Sequence, residues 1–250
     1  MTQKIALVTG ATSGIGRATA TALAQQGFKI IASGRRTQRL QELVQQFGPE
    51  NIYPLEFDVR NKEAVRAALT SLPAEWRSVD VLVNNAGNAH GLASFQNGDM
   101  DDWEAMLDIN VKGLLYVTKE VLPIMIERKT GHIINIGSIA GKEVYANGNV
   151  YCASKFAVDA LSKAMRLDLV HEGIKVSEIN PGAVETEFSE VRFKGDTQRA
   201  ASVYQGFEPL KAEDIADLIL FMVTRPKHVN LAEVLILPTA QASATIINKQ

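Results

Sequence analysis

The sequence predicts an α/β fold, a single-domain doubly wound parallel sheet with helices on both faces. Three observations predict it. Short apolar runs alternate with amphipathic helical patterns along all 250 residues, the signature of βαβ units. The strands read as near-continuous apolar runs, as strands covered on both faces do. No internal repeat, low-complexity tract or linker divides the chain, and a length of this order suits one α/β domain spanning 1–250.

Each element follows from its local pattern. IALVTG (5–10) is a short buried strand ending in glycine. Residues 17–28 read as a helix, with Ala18, Ala22 and Leu23 at helical spacing and Gly27 near its end. KIIAS (29–33) is a second strand. Residues 38–47 form an amphipathic helix with Leu40, Leu43, Val44 and Phe47 on one face. A third strand over 51–59, a helix over 61–71 and a fourth strand over 79–87 follow. The helical region 101–128 is expected to be interrupted near Pro123. A fifth strand (132–138), a helix (150–171), a sixth strand (175–182), a helix (212–224) and a last strand (233–237) complete the alternation. Residues 186–211 read as one long irregular stretch. Loops of that length are binding lids or solvated surface segments, and its many charges fit both.

Composition excludes several function classes. Hydrophobic residues make up 46% and charged residues 22%, which rules out disorder. With a net charge of −2 and no Lys/Arg-rich run, no nucleic-acid partner is expected. The apolar run Ile5–Val8 is too short for a signal-peptide core, and no stretch approaches about 18 apolar residues, so no membrane partner is expected. The single cysteine, Cys152, cannot form an intrachain disulfide and reads as a small packed residue. The four histidines, His90, His132, His171 and His228, are scattered without metal-ligand spacing, so no metal is expected. These features fit a cytoplasmic enzyme acting on a small molecule.

The first strand runs into Thr9-Gly10-Ala11-Thr12-Ser13-Gly14-Ile15-Gly16, with a helix beyond. A strand-to-helix turn aims backbone N–H groups and the positive end of the helix dipole at one point. Glycine there lets the backbone approach a pyrophosphate. The turn therefore points to a dinucleotide and a Rossmann-type sheet. The second strand ends in Ser33-Gly34-Arg35-Arg36, without the acid that takes the ribose hydroxyls of NAD. A guanidinium binds a 2′-phosphate through charge-assisted hydrogen bonds, so NADP is the expected cofactor. The plainer reading makes the arginines a solvated helix start.

Ser138 ends the fifth strand, and Tyr151 and Lys155 share a face of the following helix. A lysine ammonium beside a phenol is expected to lower the phenol's pKa and fit Tyr151 for acid–base work. Ser138 could hold the same substrate oxygen. A Tyr-x-x-x-Lys pair alone is weak evidence. A serine at a strand end and a dinucleotide turn upstream make the set specific.

With TGATSGIG (9–16), Asp58, NNAG (84–87), Asn110, Ser138, YCASK (151–155) and PGAVET (181–186), the sequence resembles the short-chain dehydrogenase/reductase family over essentially its whole length. The resemblance implies the following roles. Gly10, Thr12, Ser13, Gly14, Ile15 and Gly16 would line the pyrophosphate, and Arg35 and Arg36 would flank the 2′-phosphate. Asp58 and Val59 would meet the adenine, and Asn84, Ala86 and Gly87 the adenosine ribose side. Tyr151 would donate the proton to a carbonyl in reduction and accept it from an alcohol in oxidation. Lys155 would also hold the nicotinamide ribose, Ser138 would steady the reacting oxygen, and Asn110 would support a water leading to Lys155. Pro181, Gly182, Val184 and Thr186 would place the nicotinamide. Many NADP-dependent relatives carry a basic residue where Ser13 stands, which leaves cofactor choice to Arg35 and Arg36.

ETEFSEVRFKGD (185–196) and LPTAQAS (237–243) are similar to the branch of NADP-dependent serine and 3-hydroxy acid dehydrogenases. That likeness implies small substrates carrying a carboxylate, for which Arg192 and Lys194 are candidate partners, Arg192 by bidentate pairing. A surface ion pair with Glu190 is the plainer role for Arg192. His90, just beyond NNAG, reads equally as a substrate-facing or a solvated loop residue. The alternatives are a broad NADPH carbonyl reductase and a non-catalytic NADP(H)-binding regulator. The presence of Asn110, Ser138, Tyr151 and Lys155 together speaks against the regulator. The resemblance also implies a homotetramer, which the apolar stretch 234–247 would suit.

Overall fold

The computed structural model describes residues 3–250, and the fold is built in the order the alternation predicts. β1 (Ile5–Val8), α1 (Gly14–Gln25), β2 (Lys29–Gly34), α2 (Thr37–Phe47), β3 (Ile52–Glu56) and α3 (Lys62–Thr70) form the first half. β4 (Val79–Asn84), α4 (Met100–Leu107), α5 (Gly113–Glu127), β5 (Gly131–Ile136), α6 (Asn149–Leu169) and β6 (Ile174–Pro181) follow. A two-residue β7 (Val184–Glu185), the short α7 (Phe188–Arg192) and α8 (Thr197–Ser202), a two-residue β8 (Leu210–Lys211), α9 (Ala212–Val223) and β9 (Glu233–Ile236) close the chain.

Seven strands form one parallel sheet in the order β3-β2-β1-β4-β5-β6-β9. One apolar layer packs around Leu23, Leu40, Ile134 and Ile219 on one face, and another around Leu7, Val117, Ile133 and Val176 on the other. Covering both faces explains why β1 is buried at every residue. From β1 the chain builds outward to β3 and then returns to build β4 on the other side. That reversal opens a crevice at the carboxyl ends of β1 and β4, where α/β sheets bind ligands.

Three local expectations are corrected. α1 begins at Gly14 rather than near residue 17, so the second half of the glycine turn is the helix's first turn. Its orphan N–H groups therefore lie at the crevice. The long helix is interrupted by a π turn at Asp108–Lys112 and not at Pro123, which sits inside α5. Pro123 and Lys119, whose carbonyl loses its helical donor, are both exposed, so water can satisfy that carbonyl. The stretch 186–211 is not irregular throughout. It holds α7 and α8, and its ends are tied by the parallel pairing of β7 with β8, Val184 to Leu210.

Candidate active site

A cleft of about 510 Å³ lies at the carboxyl ends of the central strands. It runs from Ser33–Arg36, past the glycine turn and Asp58–Val59, to Ser138, Tyr151 and Lys155, with the segment from Pro181 to Arg192 as its other wall. The turn has the shape its glycines allow. Gly10 has φ +67°, and a side chain there would press on Ala86. Gly16 packs so closely on the Gly10 carbonyl and Asn85 that no Cβ fits. Gly10, Thr12, Ser13, Gly14 and Ile15 line the cleft. Gly16 is not among these lining residues; it packs inside the turn against the Gly10 carbonyl and Asn85.

At the adenosine end the two arginines differ. Arg36 donates from Nε to the Thr12 hydroxyl at 3.1 Å and from Nη2 to the Ser13 hydroxyl at 2.6 Å. Its Nη1 pairs with Glu187 at 2.8 Å, and Arg39 pairs with the other Glu187 oxygen at 2.5 Å. Arg35 has a side chain 61% exposed and reaches only Asp58, at 3.7 Å. The Ser33 hydroxyl is buried in the cleft wall without a partner. Burial would raise the Asp58 pKa, but hydrogen bonds from Arg60 and the charges of Arg60 and Arg35 outweigh it and hold the carboxyl below its usual value. Asn61, not Asp58, caps α3, by accepting from the Ala64 N–H.

Asn84 departs from expectation. Its amide points into the sheet, donating to Thr118 and Asn135 at 2.9 Å, while Asn85, Ala86 and Gly87 line the cleft. The Asn110 side chain is also committed elsewhere. It accepts from the Asn88 N–H at 2.8 Å and donates to the Asn88 carbonyl and the Ser154 hydroxyl. The π turn that sets this orientation is a local departure of the kind common at functional sites.

The catalytic corner brings Ser138, Tyr151 and Lys155 together in the cleft wall. The Ser138 hydroxyl accepts from the Ala140 N–H, and the Ser138 N–H donates to Asn180 Oδ1 at 3.0 Å. Lys155 Nζ donates to the Ile136 carbonyl at 2.9 Å and lies 6.0 Å from the Tyr151 ring centre. Burial pulls the Lys155 pKa down to about 8, with Glu178 opposing. Tyr151 is corrected in sign. Burial, helped by Tyr145, drives its pKa above the usual phenol value, and the Ser138 hydroxyl and Arg192 only partly offset this. The expected lowering by Lys155 is not among the opposing effects, and burial decides the direction, while the ammonium donates to the Ile136 carbonyl.

The segment after β7 meets this corner. The Phe188 ring lies 5.7 Å from that of Tyr151. Arg192 donates to the Tyr145 hydroxyl at 3.0 Å and the Gly91 carbonyl at 3.3 Å, and its guanidinium sits 5.6 Å from the Tyr151 ring centre. Among the described residues Arg192 forms no ion pair with Glu190, so the surface-pair role is excluded here. Lys194 pairs instead with Asp102 at 3.0 Å. His90 lines a small recess with Tyr151, Trp103 and Arg192, and Cys152 is a buried packing residue.

On the opposite wall, Gly182 donates to the Ile236 carbonyl, and the Ala183 N–H donates to Gln241 Oε1 at 2.8 Å. The Val184 carbonyl is taken by the Tyr204 hydroxyl, and the Thr186 hydroxyl by the Phe188 N–H. Gln241, Ala244 and Ile247 line the cleft, so part of the apolar 234–247 stretch closes on its own chain. Sequence reasoning assigned no role to Arg39, Tyr145, Glu187 and Gln241. Arg39 stands one helical turn beyond Arg36, and Glu187 and Gln241 lie in the two stretches that resemble the dehydrogenase branch.

Comparison with known proteins agrees with this geometry. Residues 4–197 match the family described as short chain dehydrogenase. The chain is 48% identical over 241 residues to the NADP-dependent 3-hydroxy acid dehydrogenase of Escherichia coli (strain K12), covering 96% of this chain and 97% of that one. It is 40% identical over 251 residues to the NADP-dependent 3-hydroxy acid dehydrogenase of Schizosaccharomyces pombe, covering 99% and 97%. Among solved structures it is similar to the closed form of a serine dehydrogenase complexed with NADP+, with a TM-score of 0.94 and 48% identity over 97% of this chain and 98% of that one.

Proposed function

The chain belongs to the short-chain dehydrogenase family, and from that premise we propose that it is an NADP-dependent oxidoreductase for small 3-hydroxy acids. The substrates are of the serine, allo-threonine or 3-hydroxyisobutyrate type, or their 3-oxo products. The observation that carries the substrate class is Arg192, a guanidinium fixed beside the Tyr151 ring by Tyr145 and Gly91. A cation held there suits a carboxylate placed next to the reacting carbon.

The residues present fit NADP. Gly10, Thr12, Ser13, Gly14 and Ile15 would hold the pyrophosphate, and Arg36 with the unpartnered Ser33 hydroxyl would hold the 2′-phosphate, Arg35 adding charge at the rim. Asp58 and Val59 would meet the adenine. Ala86, Gly87 and the main chain of Asn84 would meet the ribose, and Pro181, Gly182, Val184 and Thr186 the nicotinamide. When bound, this cofactor accepts a hydride from the alcohol carbon, or in reduced form returns one to the carbonyl. Burial keeps the Tyr151 phenol protonated, as a proton donor to a carbonyl requires. In oxidation the phenol first gives up its own proton, and the phenolate, favoured by the Ser138 hydroxyl and the Arg192 charge, then accepts the alcohol proton. Ser138 orients the reacting oxygen. A water leading to Lys155 would be held by the main chain of the Asn110 turn, since that amide is occupied. The segment 186–211 acts as the substrate lid over a single domain.

Exposed Phe221 on α9, Leu235 on β9, and Leu107, Leu115 and Phe156 on α4, α5 and α6 suit burial between copies in a homotetramer. A monomer in analytical ultracentrifugation would contradict that assembly. The activity is tested by initial rates with NADP and NAD separately, offering L-serine, L-allo-threonine, 3-hydroxybutyrate and a neutral secondary alcohol. Turnover of the acids with NADP and little with NAD is expected. Turnover of the neutral alcohol alone would move the function to a general carbonyl reductase.

A further inference from the structure

Behind the catalytic corner lies a charged cluster that the reaction as described does not use. The Lys142 ammonium is held by Asp159, by Glu233 Oε1 at 2.9 Å and by Glu178 Oε2 at 3.5 Å. Lys163 holds the other oxygen of Asp159 at 2.8 Å. Three carboxylates from α6, β6 and β9 thus converge on one lysine. Lys142 ends the single 3₁₀ turn Ile139–Gly141 that Ser138 begins. The turn is fixed at its start by Asn180 of β6 and at its end by Gly141, which packs on the Lys155 main chain.

Glu178 is the innermost member. Its side chain is 0% exposed, and its Oε1 has no hydrogen-bond partner. That oxygen faces Gly137, where any Cβ would collide with it. Gly137 separates Ile136, whose carbonyl holds the Lys155 ammonium, from Ser138. An unpaired buried carboxylate oxygen is costly unless its field acts on a nearby cation.

We propose that Glu178 is a positioning residue of the catalytic centre: it anchors the Ser138–Lys142 turn through Lys142, and its charge, set behind Gly137, favours the ammonium form of Lys155. The charged groups packed around it are Lys142 from the turn, Asp159 from α6 and Glu233 from β9, and Lys155 of α6 is held on the Ile136 carbonyl beyond Gly137. Burial raises the Glu178 pKa to about 7, with Asp159 and Glu233 adding to this and Lys142 opposing. The carboxylate is therefore in place above neutrality, where it opposes the burial that pulls Lys155 down to about 8; without it Lys155 would lose its proton lower still.

The proposal gives meaning to the proposed oxidoreductase site, but it is read without turnover. Lysines carrying ¹³C at Cε are titrated by NMR in the full-length protein, with the Lys155 signal assigned by its loss in Lys155→Met. In Glu178→Gln the Lys155 midpoint is expected to fall by about half a unit to one unit, as loss of one nearby opposite charge predicts. Glu178→Asp should restore most of the shift, which a merely structural role would not require. An unchanged midpoint in Glu178→Gln overturns the proposal. If that variant does not fold, Lys142→Gln decides: losing the ammonium drives Glu178 to its neutral acid, so the Lys155 midpoint should again fall, and an unchanged one overturns the idea. The oxidoreductase reading fails separately, by absence of turnover in the wild-type protein.

Discussion

The two ends of the cleft are built from different physics. At the catalytic end Tyr151 and Lys155 are buried, and Ser138 is tied to β6 by Asn180. Small geometric changes act there in a low-dielectric setting, and a misplaced charge is costly. At the adenosine end Arg35, Arg36, Arg39 and Glu187 stand at the rim, each a third or more exposed. Charges there select a ligand by their sign and reach, but water screens each one. On the proposed function, the first end would govern the chemistry and the second the choice of dinucleotide.

That contrast can be broken by substitution, beginning where the effect is largest. Tyr151→Phe removes the acid–base hydroxyl and little else, so kcat should fall by about two to four orders of magnitude. Its Kd for NADPH, read by nucleotide fluorescence, should stay close to wild type, and a comparable loss of binding would erase the division between the ends. Arg36→Ala acts on binding instead. Loss of a charge-assisted contact of about 1.5–3 kcal/mol should weaken NADP by roughly ten- to a hundredfold and leave NAD unaffected. Arg35→Ala, at the more exposed position, should cost fivefold or less, about 1 kcal/mol at most. Equal effects of the two arginines on the NADP/NAD affinity ratio would contradict the assignment to Arg36.

The same contrast governs how much the sequence reveals. The fold is legible because parallel strands buried on both faces leave continuous apolar runs between helical periods. Ser138, Tyr151 and Lys155 are legible because a strand end and one helix face suffice to place them. Arg36 is legible by chemistry, but its partner Glu187 stands 151 residues further along the chain, so no local pattern joins them. Gln241 and Tyr145 reach the site through the same kind of long-range closure. Asn84, Asn110 and Gly16 show the converse. Their residue types suit a ligand, yet Thr118, Asn135, Asn88 and the Gly10 carbonyl engage them inside the fold. The sign of the Tyr151 shift escapes for a related reason, since helix spacing puts Lys155 near the ring without showing how deeply the phenol is buried. The helices of the 186–211 segment escape because α7 and α8 have only five and six residues, too short to establish a period.

The most direct test of the account is a comparison of wild type and Arg192→Ala on two substrates, one 3-hydroxy acid and one neutral secondary alcohol, with saturating NADP. Truncating the guanidinium should raise KM for the acid by about ten- to a hundredfold, as expected for a lost charge-assisted pair, and leave the neutral alcohol within about twofold. An unchanged KM for the acid would contradict the account, because Arg192 would then stand beside Tyr151 without reading the substrate's carboxylate.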